Sequence, residues 1–419
     1  MLRFLPRFFV LLSCYFLCSP SCFAGPIVQL RLQVAPTTHS FTCHYTFQLP
    51  AADTASVVRL LLNRQFSIQH LASPHASQQR LTRRYYPYFA DTMQLVEVRF
   101  PPHRHRLRQV TVTYSGTLAK NFATEQVMEF SGHSNWVPFR PNQEYELVAY
   151  TLEVSVPPAY QVRSTVPGRQ QAGRWLFRGT TSALEVTALV AAHFQQVAST
   201  KAPRIAVVKV GPPLLGPDTL LLRRAEAIIG FYNRSLGAQD PIKRFTIFLP
   251  GTNRDAFGLL DNATVITYAD FDVANRGALL TLAHEISHKW WGYGSVHNES
   301  EWLNEAFATY SSLLYLQASG DSTGYRVELA KRVQSAANAP ALIGFDREKA
   351  PYPLFRRVIY DKGTVILAAL HARVGTEKFY AILAKTAAER VSTTAGFLTV
   401  VAQLTTPDTR QWLTTELSR

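Results

Sequence analysis

The chain has 419 residues, 47% hydrophobic and 17% charged, with a net charge of +14. Such a composition suits a globular protein of two or more domains with sizeable cores and excludes intrinsic disorder. The basic excess, as in "RLTRRYY" at 80–86 and "HRHRLR" at 103–108, falls in short strand or loop segments without a long basic helix or stacking platform, so no nucleic-acid partner is expected.

Residues 1–24 read as a signal peptide. Arg3 and Arg7 flank the start, "FFVLLSCYFL" is an apolar core, and "SCFAG" offers a small-residue cleavage site after Ala24. The apolar run is shorter than the roughly 20 residues that span a bilayer, and no later segment could span one. The protein is therefore expected to be exported, to the periplasm or the medium, with no integral membrane segment once the leader is cleaved. Removing the leader leaves a net charge of +12, compatible with association with an anionic envelope surface. Cys14, Cys18 and Cys22 lie in the leader, so the mature chain keeps Cys43 alone and has no internal disulfide.

Residues 25–200 alternate in short runs such as "HYTFQLP", "MQLVEVRF", "QVTVTYSGTL" and "YTLEVSVP", broken by Pro, Gly and Asn, and predict an all-β first domain. Near residue 201 the pattern changes. "IAVVKV" leads into helical periodicity at "TLLLRRAEAIIGFYNRSL", then a strand "RFTIFLP", an apolar run "GLLDNATVITY" at 258–268, and helices at 276–291, 300–318, 324–337 and 361–374. The fold class predicted is α+β, with a second, mixed α/β domain over 201–419.

The segment "RGALLTLAHEISHKWWG" carries apolar residues at helical spacing, Leu279, Leu282, Ala283, Ile286 and Trp290, and ends at Gly292. On that helix His284 and His288 stand one above the other, close enough to share an ion. Glu285 lies about 100° round the helix, beside the metal rather than on it, where a base for activated water belongs. A catalytic zinc takes three protein ligands and keeps an open position. The helix of "NESEWLNEAFATYSSLLYL", with a capping box from Asn298 to Glu301, supplies Glu305 as the third. His297, in the connecting loop, is a conceivable fourth ligand that would close the site.

"HEISHKWWG" followed by "WLNEAFATY" closely resembles the aminopeptidase N family of zinc metallopeptidases, the gluzincins whose third ligand is a glutamate. The resemblance extends to "GLLDNATVITY", which matches the family's exopeptidase strand, to "YDKG" at 360–363, and loosely to the β-rich first half. It implies an amino-terminal β saddle, a thermolysin-like catalytic domain, one zinc ion held by His284, His288 and Glu305, and peptide substrates. It further implies Glu285 as the general base, Tyr360 as stabiliser of the tetrahedral intermediate, and Gly258, Leu259, Leu260, Asp261 and Asn262 as the substrate-binding strand.

Three departures accompany it. His288 and Glu305 have sixteen residues between them, fewer than the family's usual spacing, and the deletion is expected in the turn. Asp261 stands where the family has the glutamate that binds the substrate's free amino terminus, and the shorter side chain puts amine recognition in question. Glu129 in "VMEFSGHSNWVPF" is a candidate for the second amine-binding carboxylate, the alternative being a plain strand glutamate. With the sequence stopping at Arg419 soon after "GFLTVVAQLTTPDTRQWL", the large helical carboxy-terminal domain of better-known members is expected to be missing. The expected activity is that of an exported zinc aminopeptidase. The alternatives are a metallopeptidase indifferent to the free amine and a peptide-binding protein without turnover.

Overall fold

The computed structural model describes residues 25–101 and 108–419. The leader expected at 1–24 and most of the basic run at 103–108 lie outside the described residues.

Strict alternation makes the first unit a sheet with one dry face. In Ile27–Ala35 every second residue, Val28, Leu30, Leu32 and Val34, is buried. This strand lies inside a seven-stranded sheet, antiparallel to Ser40–Gln48 and parallel to Leu147–Ser155. Two three-stranded sheets complete the unit: Val57–Leu62, Asp91–Arg99 and Gln78–Tyr86 in one, Gln161–Arg163, Ala188–Ala191 and Val127–Phe130 in the other. The core between them is rich in aromatic rings at edge-to-face angles, Phe41 against Phe66 and Phe130, and Phe130 against Trp136. Cys43 is a free thiol inside this core.

The second unit is a five-stranded mixed sheet covered by helices. Its order is Gln195–Ala198, Arg204–Lys209, Arg244–Leu249, Ala263–Ile266, Ala256–Leu259, so its sheet opens with a strand a few residues ahead of 201. The three central strands run parallel, and α1 (Gly216–Ser235) is the crossover between the first two of them. The run at 258–268 is not one strand but part of a hairpin. Leu259 pairs with Ala263, the intervening turn has three residues, and Asn262 takes φ 56°, a left-handed conformation that asparagine tolerates. Ala256–Leu259 is thereby left on the edge of the sheet.

Helices α2 (Arg276–Ser287) and α3 (Trp302–Ala318) follow, then α4 (Ser322–Ala336), α5 (Tyr352–Phe355), a π-helical segment Arg356–Lys362, and α6 (Gly363–Val374), α7 (Thr376–Ala388), α8 (Thr394–Leu404) and α9 (Pro407–Ser418). The Asn275 side chain caps α2 by accepting from the Gly277 and Ala278 amides. Leu282, Ala283 and Ile286 bury its inner face, each large side chain contributing roughly 1.5–3 kcal/mol. The helix expected to run to 291 ends at Ser287, because the Ser287 carbonyl accepts both the Trp290 and Trp291 amides and tightens the last turn. His288 keeps helical dihedrals there and so stays above His284. The capping box expected at Asn298 is half formed: Asn298 caps the Ser300 amide, while the Glu301 carboxylate pairs with Arg347 at 2.6 Å. No helix among the described residues is long and apolar enough to cross a membrane.

Candidate active site

Three elements bring the donors together. The side chains of His284 and His288 descend from α2, and Glu305 enters from the first turn of α3. The connection between them is pinned by a reciprocal pair, the Gly294 amide donating to Asn304 Oδ1 at 2.7 Å and Asn304 Nδ2 donating to the Gly294 carbonyl at 3.0 Å. A Cβ on Gly294 would lie 2.3 Å from the Ser300 carbonyl oxygen, so this tight path requires glycine. This turn joins α2 to α3 over the sixteen residues between His288 and Glu305.

His284 Nε2 lies 3.1 Å from His288 Nε2 and 3.3 Å from a Glu305 oxygen, which is 3.9 Å from His288 Nε2. Donors about 2.1 Å from a tetrahedral zinc ion stand about 3.4 Å apart, and these separations bracket that value. The three form the potential metal cluster among the described residues. The second contacts of the imidazoles agree: His288 Nδ1 sits 2.7 Å from the Trp291 carbonyl, which can only accept, so Nδ1 carries the proton and Nε2 keeps its lone pair for a metal. Burial holds His284 below the ordinary imidazole pKa, favouring the neutral ligand form. Burial acts to raise the Glu305 carboxyl, but hydrogen bonding to His284 and the electrostatic influence of the neighbouring imidazoles overcome it and hold it at about 2. The donor set, two neutral imidazoles and one carboxylate, fits one zinc ion.

His297 does not join them. It faces the first unit, 3.0 Å from Glu144 and 3.2 Å from the Tyr86 hydroxyl, with Glu348 at 3.1 Å on its other nitrogen.

Glu285 is buried, with an oxygen 3.8 Å from His288 Nε2. Burial, with the nearby Glu305 charge, raises its pKa well above the usual range, while the Gly258 amide acts in the opposite sense. A dication in the triad would also favour the carboxylate form. Tyr360 lies in the π-helical segment, its ring parallel to that of His284 at 6.2 Å and beneath the Arg356 guanidinium at 4.2 Å. Burial raises its pKa and keeps the phenol a proton donor. The wide turn is held against α3 by close packing: a Cβ on Gly363 would lie 2.6 Å from that of Ala306.

Two voids meet at these residues, both touching His284, Glu285 and Tyr360. One, about 210 Å³, is walled by Tyr88, His133, Tyr145 and Glu185 of the first unit and by Phe257, Gly258 and Leu260 of the hairpin. The other, about 400 Å³, opens among Thr281, Thr309, Arg332 and Tyr352 of the second unit alone.

The candidate amine-binding residues are placed elsewhere. Asp261 accepts a 2.6 Å hydrogen bond from Thr165 and is absent from the walls of both voids; burial raises its pKa to about 6. Glu129 is fully buried, accepting from Ser131 and Thr252. Leu259 packs into the sheet core and Asn262 forms the turn, so of the five strand residues only Gly258 and Leu260 line the void. Besides Glu285, Glu301 and Glu305, one more carboxylate lines the smaller void: Glu185, from the first unit, which the sequence pattern does not mark. It accepts from Thr181 and, at 3.1 Å, from the Leu260 amide, and burial raises its pKa to about 7. A glutamate between two short apolar runs in "SALEVTALV" is the one signal that could have drawn attention to it.

A mixed sheet edged by a hairpin, followed by two helices that converge two imidazoles and a carboxylate with a free glutamate alongside, defines a thermolysin-like zinc hydrolase site. Residues 259–403 match the profile described as the peptidase family M1 domain, whose zinc metallopeptidases hold a single catalytic zinc. Among curated proteins the chain is similar to aminopeptidase M1-C and aminopeptidase M1-D of Oryza sativa subsp. japonica, each 28% identical over 30% of this chain. The matched region spans 16% and 17% of those proteins, about a sixth of their length. Two solved structures share the fold. An M1 zinc metallopeptidase from Deinococcus radiodurans has TM-score 0.70 and 16% identity, with 94% of each chain covered. Yeast LTA4 hydrolase in complex with bestatin has TM-score 0.71 and 14% identity, covering 93% of this chain and 66% of the other.

Proposed function

We propose that this protein is an aminopeptidase, hydrolysing the amino-terminal bond of short peptides with one zinc ion held by His284, His288 and Glu305. The observation that carries this reading is the small size of the void that Glu185 lines. Its 210 Å³ is about seven waters' share of liquid volume, room for one residue but not for a continuing chain. An acidic side chain, Glu185, stands in its wall to meet an ammonium group. The larger void leaves space for the rest of the peptide.

In the triad the ion supplies Lewis-acid activation of water and of the scissile carbonyl. Glu285 takes the proton from the attacking water and returns it to the leaving amine. The Tyr360 phenol donates to the oxyanion as the carbonyl becomes tetrahedral. The edge strand Ala256–Leu259 aligns the substrate backbone, since its outer side has no strand partner among the described residues. Export rests on the leader pattern of residues 1–24, and a secreted or periplasmic product beginning at Gly25 is the expected mature form.

The test compares a tripeptide with its N-acetylated twin on the zinc-loaded protein. Losing a buried ammonium–carboxylate pair should lower kcat/KM by about a hundredfold or more. Equal rates would leave a zinc peptidase indifferent to the free amine, a reading supported by the turning of Asp261 towards Thr165. Absence of turnover on both peptides would leave the peptide-binding alternative.

A further inference from the structure

A well-formed void lies away from the triad. It measures about 540 Å³ and lies between Val162–Gly168 and the hairpin strand Arg174–Ser182 of the first unit and the strands Arg204–Lys209 and Arg244–Leu249 of the second. Its size is that of a small-molecule site, and the junction of two units is a common place for one. It shares no lining residue with either void at the triad.

Its charge is one-sided. Arg163, Arg204 and Arg244 contribute to the lining and no aspartate or glutamate does. Among the described residues none of the three forms an ion pair. Arg204 and Arg244 are register partners on adjacent strands, which sets two like charges side by side. The Arg163 guanidinium lies 5.8 Å from the Trp175 ring and 5.2 Å from that of Phe194, and donates only to the Val162 carbonyl and the Gln161 side chain. Burial pulls its pKa down, the mark of a cation partly stripped of water without a counter-charge.

Phe177, Phe245 and Phe248 give the wall flat apolar faces, beside uncharged polar residues such as Gln196 and Thr246. The indole Nε1 of Trp175 is buried and has no hydrogen-bond acceptor. A buried donor left unpaired costs about 1–3 kcal/mol, so the Trp175 N–H lacks an acceptor where the three arginines lack an anion.

We propose that this cavity binds a small organic anion, a carboxylate or phosphate carried on a flat apolar body. The guanidinium groups of Arg163, Arg204 and Arg244 meet its charge, the indole N–H of Trp175 meets an acceptor oxygen, and the phenylalanine rings cover its body. The two anion types share this chemistry and differ in charge and in the number of acceptor oxygens.

The test is calorimetric titration of the full-length zinc-loaded protein, with an amino-acid hydroxamate filling the triad void so that probes cannot bind there. The probes are benzoate, phenyl phosphate and uncharged benzyl alcohol. One-to-one binding of at least one aromatic anion is expected, and the tighter of the two identifies the head group. In Arg163→Gln/Arg244→Gln that affinity should fall by about tenfold or more, and Trp175→Phe should weaken it further. Both variants should keep the wild-type circular dichroism and peptidase rate, since none of Arg163, Arg244 and Trp175 lines the triad voids. Three results overturn the proposal: no binding of either anion at millimolar concentration, benzyl alcohol binding as tightly as the anions, or unchanged affinity in the arginine variant.

Discussion

The Leu260 amide donates a hydrogen bond to the Glu185 carboxylate at 3.1 Å. The turn of the edge hairpin in the second unit is thereby fastened to a side chain of the first, beside the void that the zinc ligands also line. Thr165 makes a second tie at the same turn, donating to Asp261 at 2.6 Å.

Glu185→Gln separates amine recognition from hydrolysis. Because the Glu185 pKa is raised to about 7, the wild-type carboxyl is neutral in mild acid and attracts an ammonium only as pH rises through that value. The substrate's α-amino group loses its proton near 7.7–8.0. KM for a free-amine peptide should therefore pass through a minimum near neutral pH in the wild type. In the variant the acid limb should vanish and KM rise about tenfold or more, which steady-state kinetics at pH 5.5–9 will read.

The same raised pKa carries a stability consequence. The folded state holds the Glu185 proton over a range where the unfolded chain, near the ordinary glutamate value of 4.5, has lost it. The wild type should thus lose stability relative to Glu185→Gln as pH rises from about 4.5 through 7, by at most on the order of 3 kcal/mol. Urea denaturation at pH 4.5 and pH 8 should show the difference opening at the higher pH. A constant difference would mean that this carboxyl titrates alike in both states.

Glu285→Gln should lower kcat by about 10²–10⁴ while leaving the zinc stoichiometry unchanged, because the side chain is beside the triad and not one of its donors. Loss of metal by elemental analysis would instead make it a ligand.

Tyr360→Phe keeps the ring under Arg356 and beside His284 and removes only the hydroxyl. A donor that acts on the oxyanion should cost about 10²–10³ in kcat with KM nearly unchanged.

At Gly258 a Cβ would lie 2.1 Å from the Glu285 carbonyl oxygen and 2.8 Å from the His288 Cβ. Gly258→Ala should push the edge strand off α2, with a stability loss of about 1–3 kcal/mol seen in thermal unfolding, together with a fall in kcat/KM. An unaffected enzyme would mean that the strand does not align substrate.

The parts of this site that could be read in the sequence are those set by helical periodicity. His284 and His288 share a face whenever their helix forms, and Glu305 follows from the next helix's stripe. That α2 stops at Ser287 without moving His288 was not legible, since a tightened last turn leaves the spacing unchanged. The orientation of Asp261 was not legible either. It depends on a three-residue turn between paired strands and on Thr165, which is 96 positions away in the chain. Glu185 escaped notice for a related reason: in a β-rich segment a lone glutamate reads as an outward strand residue, whereas it ends a short 3-10 turn, buried, with partners from both units in Thr181 and the Leu260 amide. The widened turn at Tyr360 leaves no periodic trace.

The wall of the smaller void is drawn from both halves of the molecule, whereas the donors for zinc come from one. A separately produced second half would carry a full set of ligands yet lose Tyr88, Tyr145 and Glu185 from around them. Metal affinity and choice of substrate thus belong to different stretches of polypeptide, and each can be altered while the other is left as it stands.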